Sequence, residues 1–237
     1  MKRSLQGGIM GKYIFLIRPP NQVGLAALKS QVLDKLVPRL LQLNPEKLKV
    51  DLTEPKRPRL TVLPLKRNHL AMISVWDGRA DRARQWQSEM ASLGWSMAGY
   101  QITESTPRAY TKDWKDGEAS PGIVMLTLMN KNRRLSYEQF MKEWFEHHTP
   151  NVALKVHPLW NYIRNVVDSA VVDGSPALDG IVEEHFRQRR DITNPMRFFG
   201  GPLMMIPNMV KVGLHANKFL DLSLVENYLL TEYHIRS

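Results

Sequence analysis

Tyr13-Ile-Phe-Leu-Ile17 and Ile123-Val-Met-Leu-Thr-Leu-Met129 are two apolar runs of strand length, and each leads into a helical pattern. After the first, Leu25, Leu28, Val32, Leu36 and Leu40 recur at helical spacing as far as Leu43, with Pro38 expected to kink or divide the helix. After the second, Ser136 and Gln139 make an S-x-x-Q capping box, and Leu135 can staple onto Phe140. That helix is expected to bury Phe140, Met141, Trp144 and Phe145 before it meets Thr149-Pro150. Further out, Leu48-Lys-Val-Asp-Leu52 alternates as a strand does, and Trp160 to Val167 stands in the same place in the second half. Leu70 to Trp76 is answered by Ile181 to Phe186. Ala80 to Leu93 reads as a helix ending at Gly94, a good C′ residue, and Arg189 to Phe199 as partly helical. Ser96 to Ile102 is a fourth strand, with Met209 to Leu214 as its expected counterpart. All four strand pairs share one offset of about 110 residues, a signal of internal repetition.

Each half therefore reads β-α-β-β-α-β. The expected fold class is α+β: tandem ferredoxin-like βαββαβ repeats, spanning residues 12–113 and 121–237, in an intrachain dimeric-α/β-barrel-type arrangement. A ferredoxin-like unit covers one face of its antiparallel sheet with helices, and the other face needs a partner. Two sheets facing one another would supply it and leave a lined cavity between them. Ala109 to Gly122 is polar and turn-rich, as a connection between repeats should be. Asn227 to Ile235 alternates again, and is read as a ninth strand that extends an edge or reaches a second chain, so a homodimer is a partner to test.

Composition narrows the function classes. An apolar fraction of 43% with 24% charged residues is ordinary for a soluble protein, and no apolar run approaches bilayer length. Lys2 and Arg3 are followed by Gln6-Gly-Gly where an export signal would place its apolar core, so a cytoplasmic protein with no membrane association is expected. The absence of cysteine removes disulfides, thiolate metal sites and a cysteine nucleophile. A net charge of +10 raises the question of nucleic acid. The basic residues, however, are dispersed over Lys56/Arg57/Arg59, Lys131/Arg133/Arg134 and Arg187/Arg189/Arg190, and the strands lack the aromatic-plus-basic pattern of RNA-binding sheets. Phosphate-cradling G-x-x-x-x-G-K-[S/T] and G-x-G-x-x-G loops are absent, as is H-E-x-x-H.

The stretch Leu135 to Pro150, a capped helix carrying Trp144 and ending in His148-Thr149-Pro150, resembles the first helix of the EthD family. Tyr162-Ile-Arg-Asn165 is similar to that family's Tyr-x-x-Asn strand, Asp179-Gly180 with Glu183 and Phe186 to its Asp-Gly-x-x-Glu strand, and Phe219-Leu-Asp221 to its Phe-x-Asp turn. His185 stands where the family often has an aromatic residue. The resemblance covers roughly residues 122–237 and implies a dimeric α/β-barrel. It implies no single reaction: some relatives resemble polyketide-tailoring decarboxylases, and the wider superfamily includes cofactor-free oxygenases and isomerases.

Chemistry-bearing residues follow from the strand faces. In the third strand of the second half, Val182 and Phe186 suit the helix-packed side, which turns Glu183 and His185 into the barrel as a carboxylate–imidazole pair. His148 lies near an expected helix C-terminus, where the dipole favours the imidazolium and burial the neutral ring. Tyr162 could donate to an oxyanion, and either Tyr162 or Asn165 faces inward. The expected catalytic set is His148, His185, Glu183 and Tyr162; the expected substrate contacts are Asn165, Trp144, Ile73 and Val75. Ile73 and Val75 enter through the shared offset, as the apolar counterparts of Glu183 and His185; Trp76, Met72 and Tyr13 are further candidates for that wall. No metal or cofactor is expected, since His147 and His148 are adjacent on a helix and point about 100° apart. The function so read is a protein binding a small hydrophobic or aromatic metabolite between two sheets with cofactor-free acid–base chemistry; a non-catalytic carrier or accessory protein is the alternative.

Overall fold

The computed structural model describes residues 11–54, 63–79 and 82–237. Lys56, Arg57, Arg59, Lys2 and Arg3 lie outside the described residues. Eight strands carry the fold: β1 (Gly11–Arg18), β2 (Lys47–Thr53), β3 (Ala71–Asp77), β4 (Ser96–Arg108), β5 (Ile123–Met129), β6 (Leu159–Ala170), β7 (Gly180–Phe186) and β8 (Glu226–Arg236). They close into one barrel in the order β1-β3-β2-β8-β5-β7-β6-β4, every neighbouring pair antiparallel. Within each half the order is fourth, first, third, second strand. The halves are joined by β2 against β8 and β4 against β6, and closure leaves no sheet edge.

Alternation along the strands sorts the apolar residues into three cores. Tyr13, Phe15, Ile17, Val50, Ile73 and Val75 pack outward against Leu28, Val32, Leu36, Leu40 and Trp86 of the first half's helices. Met125, Tyr162, Val166, Val182 and Phe186 pack outward against Phe140, Trp144 and Phe219 in the second. Ile14, Leu16, Met72, Tyr100, Leu126, Ile181, Tyr228 and Leu230 fill the barrel itself.

The helix that begins at Leu25 runs as α1 (Leu25–Lys29), a π-helical stretch (Ser30–Leu36) and α2 (Val37–Gln42), which starts with Pro38 in its first turn. A proline has no N–H to donate and its ring crowds the preceding turn; widening that turn relieves both. α3 (Ala83–Ala91) ends at Gly94, whose φ of 67° is the left-handed conformation expected there. α4 (Tyr137–Lys142) opens with the Ser136–Gln139 capping box, both bonds present. It does not stop at Pro150. A second π-helical stretch (Glu143–Ala153) carries the chain through the proline into α5 (Leu154–Val156), and the Thr149 hydroxyl donates to the Trp144 carbonyl at 2.9 Å.

Between β7 and β8 lie α6 (Arg189–Thr193), α7 (Pro195–Phe198) and α8 (Met205–Phe219). The expected strand over Met209 to Leu214 is thus helical, and the fourth strand of the second half is the terminal segment read as a ninth strand. Matched strands begin at 11 and 123, 47 and 159, 71 and 180, then 96 and 226. The last pair breaks the common offset because the three-helix cap is inserted before it.

Candidate functional site

One end of the barrel interior is apolar and filled; the other is charged. β2 has Leu48, Val50 and Leu52 facing the helices, so Lys49 and Asp51 must face inward, and both are almost wholly buried. The same rule places Lys12 of β1, Glu183 and His185 of β7, Asn165 of β6 and Glu232 of β8 in the lumen, all buried.

The Lys49 ammonium is the hub. It donates to Glu183 Oε2, lies 3.1 Å from Glu232 Oε2 and 3.3 Å from Asp51 Oδ2. Lys12 pairs with Glu104, donates to Asn165 Oδ1 at 2.7 Å, stands 3.6 Å from Glu183 Oε1 and sits over the Trp76 ring at 4.5 Å. Asn165 Nδ2 completes the set by donating to Glu183 Oε1 at 3.0 Å. His185 is inserted between two carboxylates, 3.8 Å from Glu183 and 3.7 Å from Glu232. Among the groups here without hydrogen bonds are His185 Nε2, Ser74 Oγ, Asn161 Oδ1 and both oxygens of Asp51, whose Oδ2 is held by Lys49 as an ion pair.

Burial and charge compete at each member. At Lys49, burial is outweighed by Asp51, Glu183 and Glu232, which hold its ammonium well above the usual lysine range. Burial would raise Glu183, but Lys49, Lys12 and His185 bring it down to about 2. Glu232 is likewise held well below the carboxylate range, burial being overcome by His185, Lys49 and the bond from His234. Asp51 goes the other way: burial, reinforced by Glu183 and Glu232, exceeds the pull of Lys49 and raises it well above the usual carboxylate range. Burial lowers His185 toward the neutral ring.

The segment between the halves forms the rim. Tyr110 donates to Glu232 Oε1 at 2.7 Å and lies 2.7 Å from His234 Nε2. Its ring packs on Trp160 at 4.7 Å, Trp114 at 5.1 Å and His185 at 5.6 Å. The Ser120 hydroxyl also donates to Glu232 Oε1, at 2.8 Å, and the Gly117 and Ser120 N–H groups bind the β8 backbone. A cavity of about 250 Å³ opens here, bounded by Lys49, Trp76, Glu104, Tyr110, Asn161, Glu232 and His234. Glu183, His185 and Glu232 each offer a ligand atom within 4.8 Å of the others, close enough to share a cation. The cation that lies among them is the ammonium of Lys49.

The expected residues divide. His185, Glu183 and Asn165 meet in the lumen. His148 and Tyr162 lie on the opposite face of the same sheet, under the helices, with Trp144 and Glu184 around a small cavity of about 60 Å³. His148 is mid-helix rather than at a C-terminus, so no helix end favours its charge; burial, then His215 and His157, lower it to about 3. Glu184 has nothing to offset burial and rises to about 8. Trp144 is core, and its ring runs so close to Gly180 that a Cβ there would meet it at 2.7 Å. Ile73 and Val75 are not the lumen wall: they face the first half's helices, as does Tyr13. Leu16 pairs with Met72 and Leu128 with Ile181, so the true counterparts of Glu183 and His185 are Ser74 and Trp76. A one-residue error in the offset had turned the strand over.

Lys49, Asp51, Glu232, Tyr110 and His234 were missed. The alternation of Leu48 to Leu52 carried the signal for two of them, since a barrel makes the polar face of a strand its interior. Glu232 and His234 were hidden by assigning β8 to an edge.

No family model matches the chain, and no curated protein matches it by sequence. Solved structures do match in shape. A crystal structure of an anthrone oxidase-like protein aligns over 95% of this chain and 93% of its own, with a TM-score of 0.58 and 6% identity. A protein from Lactobacillus acidophilus named as a monooxygenase aligns over 94% of each chain, with a TM-score of 0.50 and 6% identity. The chain has the dimeric α/β-barrel fold, and its closed eight-stranded barrel is formed within a single chain.

Proposed function

We propose that this chain is an EthD-like barrel protein, built from two tandem ferredoxin-like units (residues 12–113 and 121–237), that binds a small aromatic or polyketide-like metabolite at the charged end of the barrel and performs acid–base chemistry on it. One observation carries the proposal: a deeply buried charge cluster, with His185 Nε2 left without a hydrogen bond, lies beneath a cavity edged by Trp76 and Tyr110. Buried charges are expensive to maintain, and a cluster of them beneath a cavity marks a place where a fold serves something other than stability.

The roles follow from position. Trp76 and Tyr110 offer ring faces to an aromatic ligand. Tyr110, between Glu232 and His234, can pass a proton from a ligand hydroxyl toward either. Lys49 would stabilise the oxyanion that remains. Glu183, His185 and Asn165 hold Lys49 and Lys12 in place. His148 and Tyr162 would act from behind the sheet, without touching the ligand. Among reaction types, the oxygenase class is the first to test, given the names of the two similar structures.

The test is a panel of phenolic and quinoid compounds titrated by calorimetry and assayed for oxygen uptake, with Tyr110→Phe and Glu232→Gln alongside the natural chain. An enzyme loses turnover in these variants while keeping most of its affinity. Parallel loss of both indicates a carrier, and no binding by the natural chain ends the proposal.

A further inference from the structure

The cap α6–α8 has an outer surface unlike the rest of the molecule. Ile206, Val210 and Leu214 stand at four-residue intervals on α8, and Leu203 lies in the turn that leads into it. All four are exposed: Leu203 by 90%, Ile206 by 53%, Val210 by 51% and Leu214 by 69%. Met196, Met204 and Met209 are exposed beside them. Single exposed apolar residues are common, but a continuous stripe of this kind marks a surface that meets something apolar.

Charge says what. Between Arg187 and Lys218 the chain carries Arg187, Arg189, Arg190, Arg197, Lys211 and Lys218 against one acid, Asp191, which is buried and paired with Arg197; Arg189 and Lys218 pair with Glu54 and Glu143 from outside the cap, and Arg187 lies over the Trp160 ring. Among the described residues, Arg187, Arg190 and Lys211 form no ion pair. Around the helix axis Lys211 and Lys218 lie about 100° and 80° from Val210, on one flank of the stripe where an interfacial helix carries its lysines, with Lys211 donating to the Asn151 carbonyl and Lys218 to Glu143. Apposing two copies of this cap would bring like charges together, so self-association through it is disfavoured.

We propose that the cap docks on an anionic lipid surface, with Leu203, Ile206, Val210 and Leu214 entering the headgroup boundary and the flanking cations facing the headgroups. This does not depend on the chemistry assigned to the barrel.

Sedimentation of the full chain with vesicles of phosphatidylglycerol mixed equally with phosphatidylcholine, and with phosphatidylcholine alone, tests it. Binding to the anionic vesicles should be stronger on the order of tenfold or more. The combined Ile206→Ser, Val210→Ser and Leu214→Ser variant should lose it, and Arg190→Glu with Lys211→Glu, which leaves the apolar stripe intact, should weaken it on the order of tenfold. Failure of the natural chain to sediment with anionic vesicles, equal binding to neutral ones, or full binding by both variants overturns the proposal. So does light scattering that shows a dimer dissolved by the triple serine variant, which would make a second copy the occupant.

Discussion

The two faces of strand β7 hold two buried polar clusters with opposite electrostatics. Inward, Glu183 meets two lysines and stays ionised; outward, its neighbour Glu184 meets none and is protonated up to about pH 8. The histidines show the other side of the same rule. His148 and His157 are buried without an anion and brought down to about 3 and about 4. Burial alone favours the neutral form, and at Glu183 and Glu232 the neighbouring cations outweigh it and hold the charge. The inner cluster is built to hold charge and the outer one to exclude it.

The largest expected effect removes the counter-charge. Lys49→Met leaves Glu183, Glu232 and Asp51 without their shared cation, and should cost about 3–5 kcal/mol in chemical denaturation. A change within experimental error would mean that the carboxylates are not ionised together, and the contrast between the faces would fail.

Acid probes the outer face next. His148 and His157 are neutral when folded but take up protons near 6.5 when unfolded, so their contribution is complete above 6.5 and is lost as pH falls through 6.5 toward 4. The loss should be on the order of a few kcal/mol for each ring, and His157→Asn should flatten that acid limb. Glu184 has the reverse sign. Its folded value is raised, so its contribution is full below about 4.5 and disappears as pH rises toward 8. Glu184→Gln should remove the decline between pH 6.5 and 8 and be the more stable protein at its upper end. A decline unchanged in the variant would show that Glu184 finds a partner.

Tyr110→Phe should have the smallest effect on stability, about 1 kcal/mol, because Glu232 keeps its bonds from Ser120 and His234. A loss several times larger in thermal unfolding would make Tyr110 a structural closure of the mouth rather than a group free to serve a ligand.

Much of this was legible in the chain. The strands read from Tyr13, Leu48, Leu70 and Ser96, which start within two residues of those points, the Ser136–Gln139 cap and the inward turn of Glu183 and His185 all follow from local spacing. What failed depended on counting across distance. The uniform offset placed a strand over α8 and turned Ile73 and Val75 into the lumen, because an insertion before β8 and a single-residue shift at β3 are invisible to a period. Pro150 read as a stop, since a π-helical stretch depends on what the helix packs against as well as on the proline.

The sequence alone determined where the eight strands lie and, for β2 and β7, which face is apolar, because alternation is a property of neighbouring residues. Only the tertiary structure decided that the polar faces of β1, β2 and β8 join that of β7 as the inside of a closed barrel. Lys12, Lys49, Asp51, Glu183 and Glu232 are far apart in the chain, and the cost of burying one of their charges is offset only when closure brings the others to it.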